Sequence, residues 1–165
     1  MRRIIVAVAI AAAWATSAPA AGTDRAIAGQ AQVIDGDSLV VGGVRIRILD
    51  VDAPESGQFC FVKSEPIDQG AWHCGRQAAR ALSEWLGAQK VSCDMTTRGI
   101  RKAWLARCSA GGRDLAEWLA ANGWAVPAPD CKCDVVRSAS DRAKAEGLGI
   151  WSSAFTMPWD WRQAR

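Results

Sequence analysis

Tyrosine is absent from the 165 residues, and histidine occurs once, at position 73. A single imidazole excludes centres that need a cluster of histidines. A Cys–His nucleophilic pair with Cys74 is disfavoured too, because adjacent residues commonly point apart and Cys74 has a use in a disulfide. The patterns G-x-G-x-x-G, G-x-x-x-x-G-K-[ST] and G-x-S-x-G are missing, which removes the marks of dinucleotide-binding, P-loop and serine-hydrolase chemistry. There is no internal repeat, low-complexity tract or sustained heptad. Charge of one sign is lacking as well. The full chain carries +3, and without Arg2 and Arg3 its 18 basic residues face 17 acidic ones, or +1. A nonspecific nucleic-acid coat needs a strongly basic face, so any phosphate site here must be local.

Long apolar runs are scarce. The one present, IIVAVAIAAAWA at 4–15, is shorter than the roughly 20 residues of a membrane span. It follows MRR and precedes SAPA, the layout of a secretory signal peptide over 1–20, cut near Ala20. Stable membrane insertion is not expected after cleavage, and the mature protein is expected to be periplasmic or secreted. Residues 21–29 are small and polar and read as a flexible N-terminus, with one cored domain over 30–162. Six cysteines, at 60, 74, 93, 108, 131 and 133, suit an exported chain with structural disulfides, although the sequence leaves their pairing open.

Short strands are read at AQVI, SLVV and VRIRIL, with DGD at 35–37 and the glycine pair 42–43 as turns. In VRIRIL, Val44, Ile46 and Ile48 share one face while Arg45 and Arg47 share the other. The stretch 56–72 reads as a long loop tied down by Cys60 and Cys74. A helix is expected over 75–89, strands at KVSCD and WLARCSA, a helix from an Asp114 cap to Gly123, and a last helix over 138–146. Strands too short for βαβ repeats, with helices after the third and fifth, favour a five-stranded OB-type β-barrel with packed helices. Trp85 and Trp118 fall on apolar helix faces and belong to the core. Trp151, Trp159 and Trp161 are expected to pack over the barrel.

The chemistry gathers around ILDVDAPES at 48–56. Asp35, Asp37, Asp52 and Glu55 come from two turns that a hairpin return would bring together, and clustered carboxylate oxygens are what hard divalent cations require. Arg47 on the same rim adds a phosphate-binding group, and the combination suits metal-assisted attack on a phosphodiester.

These residues resemble the staphylococcal nuclease (thermonuclease) family, exported bacterial branch. The likeness runs through VIDGDSLVV at 33–41, VRIRILDVDAPES at 44–56, CGRQAARAL from 74, ARCSAGGRDLAEWLAANGWAV at 106–126, and GLGIW with the closing PWDWR. It implies an OB-type barrel and calcium-dependent hydrolysis of DNA and RNA by a monomer. Asp37 and Asp52 would be calcium ligands with the carbonyl of Ala53, and Asp35 a supporting carboxylate. Glu55 would be the general base or orient the attacking water, and Arg47 would bind the phosphate and stabilise the transition state.

The family's second arginine, in a Tyr-Gly-Arg turn, has no direct counterpart in TTRGIRKAWLARC. An ungapped match back from Gly123 puts Ala103 in its place. Arg101 is expected to take over its catalytic and substrate-binding part through a small shift in the turn, with Lys102 next. The alternative is a catalytically weak or inactive barrel that binds nucleic acid or another anionic envelope partner.

Overall fold

A computed structural model describes residues 25–63, 70–99 and 102–165. The expected signal peptide lies outside the described residues, as does Arg101. Strands β1 (Ala26–Asp35), β2 (Ser38–Val41) and β3 (Val44–Ile48) form an antiparallel meander, and β4 (Val51–Asp52) follows it. Short strands β5 (Cys60–Val62) and β6 (Ala71–Trp72) precede helix α1 (Cys74–Leu86). Strands β7 (Lys90–Arg98) and β8 (Trp104–Ala110), the two-residue β9 (Arg113–Asp114) and helix α2 (Leu115–Ala121) come next. The chain closes with β10 (Val126–Pro127), α3 (Asp134–Ala145), a 3-10 turn at Gly149–Ser152, β11 (Ser153–Ala154) and α4 (Pro158–Gln163).

Strand order is β3-β2-β1-β7-β8, and β3 also pairs with β8 in parallel, so five strands close into a barrel. Closure removes the exposed edges that short strands would otherwise present. Leu39, Val41, Ile46, Ile48, Val91 and Ala106 fill the interior, and Leu82 and Leu86 of α1 and Leu115 and Leu119 of α2 cover it. The period of two expected in VRIRIL holds at Ile46 and Ile48, which are buried, and at Arg45, which is exposed. Asp114 caps α2 by accepting the Glu117 N–H at 3.0 Å, as the sequence suggests. Trp85 and Trp118 stack with ring centroids 4.4 Å apart over the same core.

Three boundaries differ from expectation. Residues 26–29, read as part of a flexible N-terminus, belong to β1 and pair with Ser92, Val91, Cys93 and Asp94 of β7. Their composition hid this, because of these four residues only Ile27 packs against the core. Helix α3 starts at Asp134, four positions before the expected 138. The loop read over 56–72 contains β5 and β6, which form a small sheet with β11 from far along the chain. That sheet covers a second cluster of Cys60, Cys74, Val126 and Ile150, against which Trp72, Trp151, Phe155, Met157 and Trp159 pack.

The cysteines form three disulfides, Cys60–Cys74, Cys93–Cys108 and Cys131–Cys133. Cys93 and Cys108 stand directly opposite each other on β7 and β8 and are buried in the barrel. Among the described residues no helix is long and apolar enough to cross a membrane. A Cys93→Ala, Cys108→Ala double variant frees a loop of separation 15. It should lose about 3 kcal/mol of unfolding free energy, read as a lower urea midpoint.

Candidate active site

The acidic residues are set by close backbone packing at one end of the barrel. Between β1 and β2 the chain turns through Asp35, Gly36 and Asp37. A Cβ on Gly36 would lie 2.6 Å from that of Ala53 and 3.1 Å from that of Ala78, so only glycine lets this turn pack between β4 and α1. Ile48 N–H donates to the Asp37 carbonyl at 2.8 Å, and the Ala53 N–H donates to Asp37 Oδ2 at 3.3 Å. The turns at 35–37 and 50–55 are thereby joined, as the carboxylate pattern suggests. The Asp37 N–H donates to Asp35 Oδ1 at 3.2 Å, and Ser38 Oγ donates to Asp37 Oδ1 at 2.9 Å.

Glu55 is placed by the start of α1. A Cβ on Gly75 would lie 1.8 Å from the Glu55 carbonyl oxygen, so the glycine of the CGRQ stretch lets the helix sit directly on the Pro54–Glu55 backbone. Asp50, to which the sequence assigns no chemistry, adopts φ 72 at the turn into β4 and pairs with Arg107 at 2.7 Å. It holds the turn from outside.

Two guanidinium groups converge on the buried Asp52. Arg47, opposite Ser38 in the ladder, brings Nη2 to 2.7 Å from Asp52 Oδ1 and 2.9 Å from Asp37 Oδ2. The second comes from an unexpected place, α4. Arg162 forks onto Asp52, with Nη1 to Oδ1 at 2.9 Å and Nη2 to Oδ2 at 2.6 Å. Its Nη1 also donates to Glu55 Oε1 at 2.7 Å. These bonds push the Arg162 pKa further up, the one to Asp52 most.

Beside this cluster opens a cleft of about 690 Å³, lined by Asp35, Arg45, Arg47 and Glu55 of the barrel end and by Trp161, Arg162 and Arg165 of the C-terminal segment. The connection between β7 and β8 contributes Gly99 and Ala103 to its wall. Lys102, expected next to the substrate, is exposed with φ 62 and is not a lining residue. Its backbone carbonyl accepts from Arg98, and among the described residues of this turn Gly99 and Ala103 line the cleft. His73 lies away from the cleft, against Phe59.

The model of the Staphylococcal nuclease homologue family matches residues 45–153. The chain belongs to this family. It is also 36% identical over 134 residues, 79% of this chain and 68% of the relative, to the succinoglycan biosynthesis protein ExoI of Rhizobium meliloti (strain 1021). The matched family stretch spans Arg47, Asp52 and Glu55 and ends before α4.

Two further contributors escaped the sequence reading. Gln58 is fully buried, donates from Nε2 to the Thr156 carbonyl at 2.6 Å, and accepts the Glu55 N–H at 3.4 Å. It ties the Glu55 turn to the segment that leads into α4. Trp161, expected to pack over the barrel, lines the cleft with its ring edge 3.6 Å from where a Cβ of Gly57 would be. A glutamine between Gly57 and Phe59 has no local signature, and its partner is 98 residues away.

Nuclease family members use calcium, and the donor set suits a hard cation. Asp35, Asp37, Asp52 and Glu55 carry four negative charges against the two positive charges of Arg47 and Arg162. Burial raises the Asp37 pKa to about 7, opposed by Arg47 and helped by Asp35 and Asp52. Among the described residues no three His, Cys, Asp or Glu side chains are grouped as a ready metal cage. A cation here would therefore keep several waters beside two carboxylates, within the six to eight oxygen ligands usual for calcium.

Without a cation, the folded chain should hold the Asp37 proton up to about pH 7, whereas the unfolded chain releases it near 3.8. The folded pKa is the higher one, so this group's contribution is fullest below 3.8 and is lost as pH rises toward 7. In chelator, the urea midpoint should accordingly show a downward component with rising pH over that window, and Asp37→Asn should remove it.

Proposed function

We propose that this chain is an exported, monomeric nuclease that hydrolyses phosphodiester bonds of DNA and RNA with calcium and little sequence preference. The observation that carries the reading is the buried Asp37–Asp52 pair, held by Arg47 on the wall of an arginine-lined cleft with Glu55 beside it. Family membership supports the reaction class. The N-terminal signal pattern and the three disulfides support export.

Asp37, Asp52 and the Ala53 carbonyl would hold the calcium ion. When bound, it supplies positive charge to the phosphoryl oxygens and acidifies water. Arg47 leaves its Nη1 and Nε donors free of the carboxylates, and they can orient the phosphate and offset charge that grows on its oxygens in the transition state. Glu55 has Oε1 held by Arg162, which leaves Oε2 to orient or deprotonate the attacking water. Asp35 fixes the Asp37 backbone through its own carboxylate.

A second reading has support from the same contact. Arg162 engages the expected base, and the relative's name refers to succinoglycan biosynthesis, which favours a cleft that binds an anionic polymer without hydrolysis.

Purified mature protein should degrade single-stranded DNA and RNA in calcium and stop in chelator. Glu55→Gln should lower kcat by about 10²-fold or more, and Arg47→Met by a similar factor. Undiminished activity of Glu55→Gln, in a preparation shown to lack contaminating nuclease, overturns the mechanism. Oligonucleotide binding with no product after prolonged incubation favours the second reading.

A further inference from the structure

The cleft has a wall that the family-matched stretch does not contain. Helix α4 begins beyond residue 153 and supplies Trp161, Arg162 and Arg165 to it. The helix is firmly seated. Pro158 at its first turn is buried, Gln58 binds the Thr156 carbonyl just before it, and Trp161 rests its edge on Gly57. Arg162 is thus delivered to Asp52 and Glu55 by a fixed element.

We propose that α4 adds a nucleotide subsite to the cleft, in which Arg162 is a second phosphate-binding guanidinium beside Arg47 and Trp161 is a stacking surface for a nucleobase. This rests on the nuclease reading above. The donor inventory supports it. Arg162 Nη1 gives both its hydrogens to carboxylates and Nη2 gives one. A guanidinium has five N–H bonds, so Nε and one Nη2 hydrogen remain. The side chain is 35% exposed, and it lines the cleft together with Arg45 and Arg47.

A pure latch between α4 and the barrel would need no free donors and no accompanying aromatic. Here the ring of Trp161 also lines the cleft, and the Arg165 guanidinium sits 3.9 Å from its centroid. Arginine heads around a half-buried indole that lines a cleft are the chemistry of single-stranded nucleic acid, with charge for the backbone and a π-surface for the base. The cleft, at about 690 Å³, is larger than a lone phosphate needs.

The test measures binding of fluorescein-labelled hexathymidylate to the Glu55→Gln protein across a salt series in calcium. Arg162→Met should weaken binding about 10-fold or more and flatten the slope of log affinity against log salt by about 0.7, the share of one phosphate contact on a single strand. Arg162→Lys should keep the slope while losing the fork. Trp161→Ala should weaken binding about 10-fold with the slope unchanged, and this arm decides if Arg162→Met does not fold.

Parent-like affinity and slope in Arg162→Met together with parent-like affinity in Trp161→Ala overturn the proposal. Hydrolysis by the wild-type protein is read in parallel. Cleavage with none of the expected binding losses removes the subsite and keeps the nuclease reading, whereas the expected losses without cleavage keep the subsite and remove that reading. Absence of binding by the parent protein overturns the subsite.

Discussion

Asp52 is a carboxylate at 4% exposure that accepts hydrogen bonds from two arginines, one on the barrel and one on the last helix. A buried carboxylate without partners would be strongly disfavoured, since its lost hydration costs several kcal/mol even after relaxation. Arg47 and Arg162 offset that cost from opposite sides. The consequence reaches past local stability, because the same contact fixes where α4 lies and which side chains it shows to the cleft. An aromatic and two arginines at the C-terminal end acquire a defined position from one shared acid.

The rest of the architecture serves to bring that acid to a barrel rim. Parallel pairing of β3 with β8 closes the barrel, and β4 leaves it immediately after the Asp50 turn. Gly36 and Gly75 permit backbone approaches that no other residue would, one under Asp37 and one under Glu55. The result is an acidic floor beside a basic wall. Such a pairing of charges attracts a cation and a phosphate to neighbouring points, and neither patch alone would do so.

Much of this was legible in the residues. The alternation in VRIRIL, the DGD and DAPE turns and the Asp114 cap specify their local structure directly, and together they place Asp37, Arg47, Asp52 and Glu55 at one rim. Long-range relations were not legible. Gln58 meets Thr156 and Arg162 meets Asp52 only after folding, across separations of 98 and 110 residues. No periodicity records such pairs. The sequence pointed to Arg101, which lies outside the described residues, and to Lys102, which does not line the cleft, and nothing in it pointed to Arg162, which reaches the site from the C-terminal end. Trp161 packs against Gly57 as expected and also lines the cleft, which its sequence neighbours do not reveal.

The central claim is that the Asp52 cluster is where a phosphodiester meets its reactive groups. The most direct measurement is a crystal structure of the Glu55→Gln protein with calcium and a thymidylate oligonucleotide. The account predicts one phosphate within hydrogen-bond distance of both Arg47 and Arg162, calcium on Asp37 and Asp52, and a base against Trp161. An oligonucleotide bound elsewhere on the barrel, with the Arg47–Asp52–Arg162 contacts untouched and no phosphate beside them, would contradict it.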